Sequence, residues 1–179
     1  FSMQTTINTL NTFKEDTEFR FDDFNEMRSQ SSNEMSNTND NQIVLDEFEN
    51  DENLWVGILK AEGTVFCAGA DLKEINAGNG ANLSTSKGGF GGITKRDRTK
   101  PLIAAITGTA VAGGCEISLS CDMIVASNET VFGLPEVKRS LVAAAGGLFR
   151  LPRALGMATA MELITTGDPL PAQRAYELG

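Results

Sequence analysis

Apolar positions along the chain change period several times, and each period points to a different element. Before residue 42 the pattern is thin. Phe13, Phe19, Phe21 and Phe24 are isolated apolar anchors, and Phe19-Arg20-Phe21 alternates like a short strand. Ser29 to Asn41 is a polar Ser/Asn run with the character of a loop. From Gln42 onward Ile43, Val44, Leu45 and Phe48 predict one face of a helix that ends in the acidic run Glu47–Glu52. Leu54 to Leu59 is a continuous apolar run of strand length, as expected in a sheet covered on both faces. Val65-Phe66-Cys67 predicts a second short strand, and Asp71 to Asn76 a short helix with Asp71 near its start. Gly78 to Lys100 has no period and holds Gly88-Gly89-Phe90-Gly91-Gly92; loops of this length are functional or mobile.

The remainder is more regular. Leu102 to Ile106 reads as a buried strand, Gly113 to Ser120 as a short helix and Met123 to Ala126 as the next strand. That order over so short a span implies parallel strands and an α/β class. Ala154 to Thr165 predicts an amphipathic helix with Met157, Met161 and Ile164 on one side, both methionines in the core. Gly167 and Pro169 stop it, and Pro171 opens one more helix that runs into Gly179. The expectation is a domain over residues 42–179 that stops between elements, as a fragment would, after an acidic, Asn-rich segment over residues 1–41.

Composition sharpens that division. The net charge is −9 over 179 residues, and residues 1–60 carry all of it, with 13 acidic and 4 basic side chains. Only one of the 18 glycines, Gly57, precedes residue 61, and every proline lies at or beyond Pro101. An acidic chain without a basic cluster repels phosphate backbones, which argues against a nucleic-acid partner. No run approaches the ~20 apolar residues that span a bilayer, so no membrane partner is expected. With no leader in the sequence the cytoplasm is the default location, a mitochondrial or peroxisomal address being left open. Cys67, Cys115 and Cys121 are odd in number and apolar in setting, and are expected to be reduced, small core residues.

Histidine is absent, which removes Ser-His-Asp and Cys-His catalysis and His-containing zinc sites. The cysteines lack CxxC pairing, so no metal is expected. Acid–base work falls to carboxylates, Lys, Tyr or Cys. In Val111-Ala112-Gly113-Gly114-Cys115-Glu116 two glycines stand between a strand and a helix, leaving the first helical N–H groups free for a developing oxyanion. Glu116 lies one turn in, on an apolar helix; such a glutamate is about as often a cap or ion pair as a catalyst. Glu136 follows the turn Phe132-Gly133-Leu134-Pro135, where a surface acid paired with Lys138 or Arg139 is the plainer reading. A helix advances ~8 Å from Glu116 to Cys121 at 1.5 Å per residue, and a strand from Met123 returns ~16 Å, so the two glutamates can face one space. Ala68-Gly69-Ala70-Asp71 is a second strand-to-helix turn that either offers free N–H groups or is an ordinary connection. Lys73 can meet a phosphate or simply be exposed. Lys95 to Lys100 is a basic stretch expected on a solvated surface, or attracting a phosphorylated ligand.

Taken in order, Phe66-Cys67-Ala68-Gly69-Ala70-Asp71-Leu72-Lys73-Glu74, Lys100-Pro101-Leu102-Ile103-Ala104-Ala105, Ala112-Gly113-Gly114-Cys115-Glu116, Cys121-Asp122, Phe132 to Val137, Arg150-Leu151-Pro152-Arg153 and Leu163 to Gly167 resemble the enoyl-CoA hydratase/isomerase (crotonase) family. The resemblance runs from about Leu45 to Gly179. It implies a spiral of ββα units with surrounding helices, here without the family's C-terminal helices, assembled as a homotrimer or hexamer. It implies an acyl-CoA thioester substrate and no cofactor, coenzyme A being part of that substrate. The thioester carbonyl would rest between the backbone N–H groups of Ala70 and Gly113. Ala68, Gly69, Ala70, Asp71, Leu72 and Lys73 would contact the CoA portion. In the hydratases of the family two glutamates act on a 2-enoyl group; Glu116 would activate water and Glu136 would protonate the α-carbon. Isomerases manage with one acid, at the position of Glu136. Phe1 to Asn41 has no Asn-Arg-Pro motif of the family's kind. A double-bond isomerase, another acyl-CoA lyase and a crotonase-like binding or assembly module without turnover are the alternatives.

Overall fold

The computed structural model describes residues 18–20, 36–61 and 64–179. The expectations for Phe13, Phe21, Phe24 and Ser29 to Met35 lie outside them. Elements in chain order are β1 (Glu18–Arg20), α1 (Ser36–Asn50), β2 (Gly57–Lys60), β3 (Val65–Cys67), α2 (Leu72–Asn76), a 3₁₀ turn (Gly80–Leu83), β4 (Ser84–Thr85) and β5 (Gly89–Phe90). They continue with β6 (Leu102–Ile106), β7 (Thr109–Val111), α3 (Gly113–Ser120), β8 (Met123–Ala126), β9 (Val131–Gly133), a 3₁₀ turn (Pro135–Arg139), α4 (Gly147–Leu155), α5 (Met157–Thr166), β10 (Leu170–Pro171) and α6 (Ala172–Leu178).

Three strand–strand–helix units repeat along the chain: β2-β3-α2, β6-β7-α3, and β8-β9 with the 3₁₀ turn at Pro135. The first strand of each unit joins one sheet of order β1-β2-β6-β8, parallel throughout. The second strands form another sheet, in which β3, β7 and β9 are parallel and β10 closes the edge antiparallel. Each unit thus lies beside the one before it, which is the ββα spiral the resemblance implies. The inner strands are short apolar runs because both faces are covered there: Leu59, Leu102, Ala104, Ile106 and Ala110 are all buried, whereas the edge strand β8 leaves Met123 and Ile124 exposed. In the second sheet the three parallel strands end side by side, and each runs directly into a turn bearing a candidate residue. The carboxyl edge of a parallel sheet is where an open α/β fold binds ligands.

Several expectations change. The apolar run Leu54 to Leu59 enters the sheet only at Gly57, and Trp55 is 77% exposed. The neighbour β6 starts at Leu102 after Pro101, which has no N–H with which to extend the ladder. Helix α1 begins at Ser36, inside the run read as loop. Thr38 and Asn41 are buried, and Asn41 Nδ2 donates to Gly91 O at 3.1 Å, so contacts far along the chain override weak local propensity. Gly78 to Lys100 is held in a 3₁₀ turn and a β4–β5 hairpin rather than left structureless.

The basic stretch is only partly a solvated surface: Lys95, Asp97 and Thr99 are exposed, the other three are not. Arg96 is buried, donating to the Asp46 carboxylate and to Gln42 O. Thr99 N and Thr99 Oγ1 donate to Glu49, and Lys100 Nζ donates to Phe48 O at 2.7 Å, so the stretch clasps α1. The single helix expected over Ala154 to Thr165 is two. Gly156, at φ 80° and ψ 156°, ends α4 and starts α5 in a conformation that L-residues avoid. The break turns the second helix so that Ala160 and Leu163 are buried, while Met157 (65%) and Met161 (48%) are exposed instead of in the core. Cys115 is buried, Cys67 and Cys121 are half-buried, and all three are free thiols. Among the described residues no helix is long and apolar enough to cross a membrane.

Candidate active site

The turn after β3 and the turn after β7 touch. A β-carbon on Gly69, which sits at φ +90°, would stand 2.8 Å from Gly113 N and 2.8 Å from Ala112 Cβ. One residue on, a β-carbon on Gly114 would collide with the Cys67 carbonyl, so α3 starts directly against the end of β3. These absent side chains are why the two turns can share a space. Ala112, between them, takes φ 51° and ψ −128°, a strained conformation for alanine; the sequence carries no signal for it. It is held by its own N–H donating to Gly133 O at 2.9 Å and by its carbonyl accepting from Glu116 N at 3.1 Å. Among the described residues neither Ala70 N–H nor Gly113 N–H donates to a backbone carbonyl. Gly113 is the first residue of α3, so its N–H has no partner within the helix and lies at the positive end of the helix dipole. The Phe90 ring closes over it, 2.6 Å (Cζ) from where a Gly113 β-carbon would be.

Of the predicted contact segment, Asp71 is the N-cap of α2, accepting from Lys73 N at 2.7 Å. Ala68, Leu72 and Lys73 are exposed, and Gly69, Ala70 and Asp71 are half-buried. The segment therefore presents an open rim beside the Ala70–Gly113 turns.

Glu116 is 3% exposed. The expectation of a cap is met in an unexpected place: Oε1 accepts from Gly147 N at 2.8 Å, at the first residue of α4 rather than of its own helix. Burial pushes its carboxyl pKa up, and the charge of Glu136 adds to that. The Gly147 and Ala145 N–H groups and the Arg150 guanidinium oppose the rise. Glu136 is half-buried in the 3₁₀ turn that follows β9, and its buried Oε2 has no hydrogen-bond partner among the described residues. Burial raises its pKa too, against its own backbone N–H. The pairing with Lys138 or Arg139 does not form with Lys138, which instead bonds Asp168 at 3.0 Å. A buried carboxyl and a half-buried one within electrostatic reach of one another, the first well supplied with donors and the second not, are what proton transfer without histidine needs. Gly147, Arg150 and Phe90 carried no site role in the sequence, because Gly147 and Arg150 reach the site from α4 and Phe90 from β5, both far from Glu116 along the chain. Among the described residues no three His, Cys, Asp or Glu side chains are grouped to hold a metal ion.

The family model described as enoyl-CoA hydratase/isomerase matches residues 24–179. A mevalonyl-coenzyme A hydratase of Aspergillus fumigatus is 43% identical over 134 residues, 74% of this chain and 50% of that protein. A carnitinyl-CoA dehydratase of Proteus mirabilis is 41% identical over 138 residues, 76% of this chain and 53% of that protein. Among solved structures, an enoyl-CoA hydratase from Mycobacterium marinum superposes with a TM-score of 0.75 at 48% identity, covering 79% of this chain and 55% of that one. The chain spans about half the length of the relatives it matches. The extent of the family match, together with the shared spiral, shows that this chain belongs to the enoyl-CoA hydratase/isomerase family.

Proposed function

We propose that the protein carrying this chain adds water reversibly to a 2-enoyl-CoA thioester. One observation carries the reading: the 68–71 turn and the start of α3 meet through Gly69 and Gly113, one helical turn from buried Glu116. In this reading the thioester oxygen accepts from Ala70 N–H and Gly113 N–H, which stabilise the enolate charge as it develops. Ala68 to Lys73 line the CoA portion at the open rim. Glu116, whose surrounding donors favour the carboxylate, takes a proton from water as it attacks the β-carbon. Glu136, whose buried Oε2 has no donor among the described residues, holds a proton and gives it to the α-carbon. No cofactor takes part, and coenzyme A enters with the substrate. The names of the relatives support a hydro-lyase and leave the acyl group open.

The test is hydration of crotonyl-CoA and longer enoyl-CoAs by the natural-length protein, with product analysis to separate hydration from double-bond migration. Glu116→Gln and Glu136→Gln should each lower kcat by about 10²–10⁴-fold. Wild-type turnover in both variants overturns the reading. Migration without hydration replaces it with an isomerase.

A further inference from the structure

Arg150 joins two segments through its side-chain hydrogen bonds. It lies on α4, one turn after Gly147, and its guanidinium is half-buried. Nη1 donates to Ala145 O at 3.2 Å, and Nη2 donates to Thr94 O at 2.6 Å. Ala145 belongs to the turn that delivers Gly147 N–H to Glu116. Thr94 is 1% exposed and ends the turn that begins at Phe90, whose ring lies over Gly113. A β-carbon on Gly146 would overlap the guanidinium, so the turn is shaped around it. The Phe149 ring lies over the guanidinium, 4.7 Å from centroid to Cζ.

We propose that Arg150 is a positioning residue for Glu116: its fork ties the 145–147 turn to the Phe90–Thr94 turn, fixing the Gly147 N–H on the Glu116 carboxylate. The inference rests on the reading of Glu116 as the base. A guanidinium suits the task because its planar donors reach two carbonyls at once and it keeps its charge, whereas an ammonium is a point donor. The ionisable groups around Glu116 are few. Glu136 faces it from the 3₁₀ turn, Arg150 from α4, Cys67 lies at the end of β3, and Cys115 is its chain neighbour. Arg98, Arg153 and Cys121 act on Arg150 in turn. Arg150 is the cation among those acting on Glu116, and it favours the carboxylate.

The experiment compares Arg150→Met and Arg150→Lys with wild type in the natural-length protein, with two readouts. One is the pH profile of kcat and KM for crotonyl-CoA hydration. The other is the pH titration of the ¹⁵N-labelled Gly147 amide, which reports Glu116 ionisation whether or not turnover occurs. Arg150→Met should raise the Gly147 titration midpoint, and the acid limb of kcat with it, by about half a pH unit or more. It should lower kcat about tenfold with KM within about twofold. Arg150→Lys keeps the charge but not the fork, so its midpoint should rise by less than in Arg150→Met while kcat still falls.

An unmoved midpoint in folded Arg150→Met, or a rise in KM alone, overturns the inference. If Arg150→Met does not fold, Arg150→Lys decides, and wild-type kcat there overturns it. Glu116→Gln separates the two claims. Wild-type turnover in that variant refutes the base reading, while the Gly147 midpoint still judges the positioning role.

Discussion

Gly69 and Gly113 are in backbone contact: a β-carbon on Gly69 would stand 2.8 Å from the Gly113 nitrogen, and one on Gly113 would stand 3.2 Å from Gly69 Cα. The contact joins two turns 44 residues apart in sequence, each following a strand of the same parallel sheet. Neither turn can move without the other, so the two N–H groups proposed to hold a thioester oxygen are set by one contact. An oxyanion site needs this rigidity, because donors that must reorganise during reaction lose their advantage.

Gly69→Ala should therefore harm activity and stability together. Its φ of +90° strains any L-residue, and the new methyl meets backbone that cannot yield. The expected loss is about 1–3 kcal/mol in stability and about 100-fold in kcat/KM from displaced donors. Gly78→Ala is the control, since Gly78 has φ +85° but open space around it. It should lower the melting temperature with little change in kcat/KM. Equal kinetic losses in the two variants would show that backbone strain alone, not the contact, governs the site.

Glu116 and Glu136 make stability depend on pH in a defined direction. Folding raises both pKa values above their ordinary 4.5. Each group therefore binds its proton more tightly in the folded chain. Its stabilising contribution is whole below about pH 4.5 and is lost as pH climbs through the raised value. Glu136→Gln removes that loss, so its melting temperature should gain on wild type between acid and neutral pH. The slope of the difference is the readout, because an amide at a buried position also adds a constant cost. Glu116→Gln should show a slope of the same sign, since folding raises that carboxyl too. A difference independent of pH in Glu136→Gln would refute the burial argument.

Cys115, buried, and Cys121, half-buried, are thiols with pKa values pushed up to about 12, chiefly by loss of solvent. At pH 8 they are neutral and shielded, so the thiolate that reacts is scarce. In the folded protein both should resist iodoacetamide over hours, and in urea both should alkylate at ordinary rates. Peptide mass spectrometry after native labelling checks this. Rapid modification of Cys115 without unfolding would contradict its burial in the core.

The chain order of apolar runs, the glycine turns after β3 and β7, the Asp71 cap and the Gly167 stop were all legible in the residues. Each depends on neighbours a few positions away: alternation and run length choose strands, and side-chain caps or glycine at positive φ end helices. The order of motifs sufficed to suggest the family as well. What neighbours could not decide came from far along the chain. Asn41 finds Gly91 50 residues away and pulls a polar run into a helix. Arg96 and Lys100 look like surface cations until α1 covers them. Met157 and Met161 carry a core pattern that one glycine rotates outward. For Glu116, residue type and position allowed a cap, an ion pair or a catalyst. Only the fold sets Gly147, 31 residues later, against its carboxylate and Glu136 within reach of its charge. The reason is physical: a carboxyl's pKa and partner depend on what the folded chain places around it, and local sequence does not contain that.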